Sequence, residues 1–159
     1  MEKSGVDLRY TDPQSGRKFI PHVIEPTFGM DRSLLAVLLD GYKEEEKDGK
    51  SRVYLKIKPS LSPYKVAVFP LLANKPKLVE KARSIYQTLK PHFSVAWDDR
   101  GNIGKRYYSQ DEVGTPWCVT VDFETLEDDT VTVRDRDTMK QERMKTNDLK
   151  SYFGQKLYV

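Results

Sequence analysis

The sequence predicts an α/β domain of three layers over residues 60–159, with a mixed, mainly parallel sheet and helices on both faces. Three observations carry this reading. "YKVAVFPLL" (64–72) is an unbroken apolar run, the pattern of a strand buried on both sides. A helical stripe and two further strand-like segments alternate after it, which requires right-handed crossovers and a parallel core. "TVTVRDRD" (130–137) then follows the short turn "TLEDD", which adds an antiparallel strand.

Each element has its own local reason. "FIPHVIEPTFG" (19–29) reads as extended. Pro21 and Pro26 lack amide donors, which suits a sheet edge or a strand end. Gly29 permits a turn, and Asp31 is placed to cap a helix in which Leu34, Leu35, Val37, Leu38 and Leu39 leave almost no polar face. Such a helix is expected to be buried against a partner surface, and little of this chain is available to cover it. "KEEEKDGKSR" (43–52) has no apolar periodicity and reads as a solvated loop or frayed helix end, so a boundary is placed here. "RVYLKIKP" (52–59) is a short strand with Val53, Leu55 and Ile57 on one side. The expected organisation is therefore residues 1–45, a linker with a short strand at 46–59, and a main domain at 60–159.

Within the main domain, Asn74 and Pro76 mark a helix start, and Leu78, Ala82, Ile85 and Leu89 fall on one stripe of a helix to about residue 90. "HFSVAWDD" (92–99) is a second strand. "NIGKRYYSQDEVG" (102–114) is a polar helix capped by Asn102 and closed near Gly114. "PWCVTVDF" (116–123) is a third strand with Trp117, Val119, Val121 and Phe123 on one face, and a last helix is expected over 146–153. Trp97 and Trp117 lie in apolar strands and are read as core.

Composition excludes several classes. The net charge is +3 at pH 7, weak on its own as a sign of nucleic-acid binding, but residues 1–97 are net basic and 98–159 net acidic. A single cysteine, Cys118, excludes an internal disulfide and is compatible with a reducing cytoplasm. Two histidines and one cysteine, far apart, do not make a zinc site, and no metal site is expected. No apolar run approaches the ~20 residues of a membrane span, and no secretory h-region opens the chain.

Candidate chemistry is expected at the carboxyl ends of the parallel strands. Asp98, Asp99 and Asp122 stand there, open to reading as an acid–base pair, a magnesium site or simply polar strand ends; no nucleophile or histidine accompanies them. On an extended strand, Arg134 and Arg136 point to the side of Thr130 and Thr132, about 7 Å apart. Two guanidinium forks so placed grip phosphates or base edges; the competing reading is an ion-pair lattice with Asp122 and Asp111. "GKRYYSQDE" (104–112) sets Lys105 and Arg106 beside Tyr107 and Tyr108, a combination suited to single-stranded RNA or to a solvated helix with Tyr107 packed inward. Arg32, at a helix start just beyond Glu25 and Thr27, is placed to hold phosphate while a carboxylate holds an ammonium.

"FIPHVIEPTFGMDR" (19–32) resembles the third signature motif of class II aminoacyl-tRNA synthetases, in the form found in the glycyl-tRNA synthetase family. "VAVFPLL" (66–72) and "DDRGNIGKRYYSQDEVGTPWCVTVDFETLEDDTVTVRDRD" (98–137) resemble that family's anticodon-binding domain, especially in its archaeal and eukaryotic branch. The resemblance runs from about residue 17 to 150. It implies that 1–45 is the strand-helix remnant of a class II catalytic domain, that 60–159 is the anticodon-binding domain, and that Arg32 binds ATP phosphate. It also implies that Glu25 and Thr27 contact glycine, Thr27 standing where the family usually has serine, and that Arg106, Asp111, Glu112, Arg134 and Arg136 fall in segments facing the anticodon. The first and second signature motifs are absent. The expectation is a cytoplasmic tRNA-binding module cut from a homodimeric ligase that uses ATP, magnesium, glycine and tRNA-Gly, the fragment itself inactive and without cofactor. The alternatives are a stand-alone synthetase-like accessory or regulatory RNA-binding protein, and a small intact ATP-using enzyme, disfavoured because one motif cannot surround a triphosphate.

Overall fold

In the computed structural model, which describes residues 5–47 and 49–157, the chain divides into two compact units, 1–33 and 34–159. In the first unit, β1 (Tyr10–Thr11) and β2 (Lys18–Phe19) form a minimal antiparallel pair, closed by the Tyr10 and Phe19 rings edge to face at 5.8 Å. The stretch 20–29, expected as a strand, joins no ladder. A strand exists by pairing, and among the described residues no segment pairs with it. Helix α1 (Met30–Gly41) forms as expected, with Asp31 in its first turn rather than at the cap. Its Leu34, Leu35 and Leu39 are exposed.

The second unit corrects the loop expected at 43–52. It is a hairpin, β3 (Tyr42–Lys47) with β4 (Lys50–Leu55), turning at Gly49 where φ is +71°. Charged side chains hid the strands because a two-stranded ribbon needs no apolar face on its solvent side. The buried side chains of β4 are Arg52 and Tyr54, while Val53 and Leu55 are half-buried. The alternation was read one residue out of phase.

The main sheet has the order β6-β5-β7-β8-β9, from β5 (Val66–Pro70), β6 (Val95–Trp97), β7 (Trp117–Val121), β8 (Thr130–Asp135) and β9 (Gln141–Lys145). Strands β5, β6 and β7 are parallel and β8 runs antiparallel to them, as expected, while β9 pairs antiparallel with β8. Strand β9 was not foreseen. On one face α2 (Pro76–Leu89) and α5 (Leu149–Leu157) enclose the larger core, into which Leu78, Ala82, Ile85 and Leu89 all point. On the other, α3 (Ile103–Val113) covers Ala67, Phe69, Ala96 and Cys118 through Ile103 and Tyr107. This is the three-layer α/β architecture. Burial pushes the Cys118 thiol far above its ordinary pKa, so it behaves as a small core hydrophobe.

The ends of α3 follow from sequence. Asn102 Oδ1 accepts from the Lys105 amide at 2.9 Å, and Gly114 ends the helix in the left-handed region at φ +85°. A Cβ on Gly114 would sit 3.1 Å from Ile57 Cδ1 and 3.2 Å from Leu55 Cβ. Gly114→Ala is therefore expected to lose about 1–3 kcal/mol by strain and overpacking together, read as a lower urea midpoint at unchanged m-value. Helix α2 begins at Pro76, with Lys75 rather than Asn74 at the cap and no side-chain cap. A single helical turn, α4 (Thr125–Asp128), replaces the expected turn, and a 3₁₀ turn (Thr146–Asp148) shifts the last helix three residues later than expected.

Candidate nucleic-acid interface

The arginines expected to reach outward from β8 point inward. Arg134 does share the face of Thr132, as strand alternation demands, but that face carries α3 above it. Its guanidinium donates twice to Asp111, at 2.8 and 2.9 Å, and lies 4.9 Å from the centre of the Tyr107 ring. Asp111 is fully buried and also accepts from Arg52 Nε at 3.0 Å. Arg52 continues to Glu45 at 2.7 Å and to the Arg136 carbonyl. Arg136 lies one residue past the strand. It donates to the carbonyls of Gly114 (2.7 Å) and Ile57 (2.9 Å) and to Asp137 (2.8 Å). Burial lowers the Arg134 pKa, but the hydrogen bonds and charge of Asp111 outweigh it and hold the guanidinium firmly charged. The expectation of two free cationic tips is thus corrected. The ion-pair reading holds for Asp111 and not for Asp122, because one buried carboxylate with four acceptor sites can seat two forks.

Arg106 is also buried, and its partners are backbone. It donates to the carbonyls of Pro70 (2.5 Å), Arg100 (3.0 Å) and Gly101 (2.8 Å). These lie at the carboxyl end of β5 and in the β6–α3 loop, so Arg106 pins that loop to the sheet edge. Arg100, carried on the loop, is 91% exposed, and its pairing with Asp98 at 3.3 Å leaves it facing solvent. Asp98 and Asp99 serve the turn: Asp98 accepts from the Arg100 amide and Asp99 from Trp97 Nε1. Tyr107 packs inward, its hydroxyl 2.6 Å from Thr120 Oγ1. Of the five residues expected at the interface, Glu112 alone is exposed.

Beyond Arg134, which lies under α3 against Asp111 and Tyr107, the same side of the last two strands faces solvent. It presents Thr130, Thr132, Gln141, Arg143 and Lys145, with Thr132 opposite Arg143. Arg143 is the guanidinium that occupies this face. It donates to Asp122 at 2.7 and 3.1 Å and to Thr130 at 2.9 Å, with Glu124 3.1 Å away. Burial raises the Asp122 carboxyl, but Arg143 and Thr125 hydrogen bonds overcome it and leave the pKa below the ordinary value of 3.8. A depressed folded-state carboxyl stabilises above its unfolded pKa and loses that contribution as pH falls through the folded one. Asp122→Asn is accordingly expected to cost about 1 kcal/mol at pH 7, with the difference from wild type shrinking as pH falls through the depressed folded-state pKa, in urea titrations at each pH.

A family model described as an anticodon binding domain matches residues 65–156. The chain belongs to the anticodon-binding domain family. It is 51% identical over 157 residues to a glycine–tRNA ligase of Caldanaerobacter subterraneus subsp. tengcongensis, covering 99% of this chain and 33% of that protein. It is 48% identical over 158 residues to that of Clostridium acetobutylicum (99% and 34%) and 49% to that of Geobacillus thermodenitrificans (99% and 33%). The chain thus spans about a third of the length of these relatives.

Within this member of the anticodon-binding family, Glu25, Thr27 and Arg32 are all exposed: the first two in the unpaired stretch 20–29, the third in the first turn of α1. Sequence reasoning missed Arg52, Arg143 and the exposure of Phe123. The signal for Arg143 was the alternation in "QERMK", where Met144 faces the core and its neighbours do not. Among the described residues no helix is long and apolar enough to cross a membrane.

Proposed function

We propose that this chain is the tRNA anticodon-binding module of a glycine–tRNA ligase, and that the open β8–β9 face with the carboxyl edge of the sheet receives the anticodon loop. The observation that carries the reading is that face itself. It offers hydroxyl, amide, guanidinium and ammonium donors beside an acidic cluster, the mixed donor and acceptor set that unstacked bases require. In this reading Arg106, Asp111, Arg134 and Arg136 hold the anticodon-facing segments in register rather than touching RNA, and Glu112 lies at the rim. The whole protein would activate glycine with ATP in the cytoplasm as a homodimer and transfer it to tRNA-Gly. Glu25 and Thr27 would contact glycine, and Arg32 would meet an ATP phosphate. An exposed guanidinium in the first turn of a helix fits that phosphate. Magnesium would arrive with ATP, since no cluster of three or more candidate metal ligands exists among the described residues. Relatives three times longer favour this over a stand-alone accessory protein.

The test is titration of the chain with labelled tRNA-Gly and with the same tRNA carrying altered anticodon bases. Binding is expected to weaken with added salt as phosphate contacts release counterions, and to drop by roughly 1–3 kcal/mol for each altered base. Equal affinity for both RNAs would remove the recognition claim.

A further inference from the structure

Strand β7 was expected to run on through Phe123. Instead the chain turns at Asp122, whose carboxylate accepts from the Thr125 amide and hydroxyl at 3.1 Å each, and the Phe123 ring is left 50% exposed. With Leu126, 42% exposed, it forms one wall of a hollow of about 470 Å³ whose other residues are Pro76, Leu78, Lys75 and Lys77. The surface of the hollow is wholly apolar. Lys75 and Lys77 are exposed and make no ion pair among the described residues. The hollow adjoins the carboxyl end of β7, between the starts of α2 and α4.

We propose that this hollow takes one unstacked base of single-stranded RNA, with Phe123 as its stacking partner and Lys75 and Lys77 on the flanking phosphates. The inference rests on the RNA-binding reading above and adds a site to it. An aromatic face held still is what a base requires, and every base offers a π-face to it. Phe123 is held: its carbonyl accepts from the Leu126 amide at 3.1 Å, and the Asp122–Thr125 bonds fix the turn on which it stands. Pro76, which also lines the hollow, has a fixed φ. Two lysines among its lining residues, with no ion pair among the described residues, favour a polyanion. A protein partner would select against them, because lysine is depleted from the cores of protein–protein interfaces.

The experiment titrates the 159-residue chain, as wild type, F123A and F123W, with a labelled anticodon stem-loop of tRNA-Gly. F123A is expected to bind about 5- to 150-fold more weakly, the loss of one stacked base, with an unchanged thermal midpoint because the ring is exposed. F123W is expected to bind within about 3-fold of wild type and to show an emission component that RNA quenches and wild type lacks. Replacing Lys75 and Lys77 together by alanine should flatten the salt dependence by about two counterions. Wild-type affinity in F123A, with no RNA-dependent quenching in F123W, overturns the inference and leaves the hollow to a protein surface. Failure of wild type itself to bind the hairpin removes the RNA reading, and this site with it.

Discussion

Asp111→Asn is expected to destabilise the second unit by about 3–5 kcal/mol, the cost of leaving buried charge uncompensated. The side chain keeps its volume, so the loss reports charge and acceptor capacity and not a cavity. Asp111 is fully buried and serves two guanidinium groups at once, Arg134 at 2.8 and 2.9 Å and Arg52 at 3.0 Å. In the variant Arg52 keeps Glu45, which is 38% exposed and screened by water. Arg134 keeps at most the single uncharged amide oxygen of the new side chain and the Tyr107 ring. The measurement is urea unfolding followed by circular dichroism, where the midpoint falls and the m-value stays constant. A triple replacement, Arg52→Met, Asp111→Leu and Arg134→Met, is expected to be less destabilised than the single Asn variant, because it removes the desolvated charges along with their partner. A single-variant loss under about 1 kcal/mol would place the cluster in the class of solvated surface pairs and refute its role as the bolt between hairpin, α3 and sheet.

Arg106→Met comes next in size, at about 3 kcal/mol. Arg106 is 2% exposed, and its guanidinium is shared among three backbone carbonyls from two segments. Removing it leaves those carbonyls under-satisfied in a place water reaches poorly, and each such acceptor costs on the order of 1–3 kcal/mol at most. Lysine should not rescue it, since a single ammonium cannot span three acceptors that a planar fork meets at once. The local signature is amide hydrogen exchange. Protection should fall first in residues 98–102, the loop that carries Arg100, before any change in β7 or α2. Exchange that rises uniformly across the domain would show that Arg106 supports global stability without specifically holding this loop.

These two expectations mark where reading along the chain ran short. The stripe Leu78, Ala82, Ile85 and Leu89 could be read because a helix repeats within a few residues, and the cap pair Asn102 and Gly114 because capping is a local affair. The partners of the arginines could not. Arg52 meets Asp111 across 59 residues of sequence and the Arg136 carbonyl across 84. Nothing in the spacing of a charged residue says whether it faces water or an acid brought in by another element. The hairpin at 42–55 was lost for a related reason: "KEEEK" has the charge of a loop, and only its register against Lys50–Leu55 makes it a strand. Phe123 failed differently, since a period of two was carried two residues beyond the point where the Asp122 turn ended it.

What the sequence by itself determined was four of the sheet's five strands and their directions, the helices α2 and α3 between them, and a family resemblance specific enough to anticipate the matched domain. All of these depend on periodicity and motif, which are properties of neighbouring residues. What only the tertiary structure decided was which cations are spent inside and which remain outside. Arg52, Arg106, Arg134 and Arg136 are enclosed, while Arg100, Arg143, Lys75 and Lys77 hold the surface. The physical reason is that a guanidinium is buried only where acceptors from distant segments converge on it, and that convergence comes into being only when the layers close.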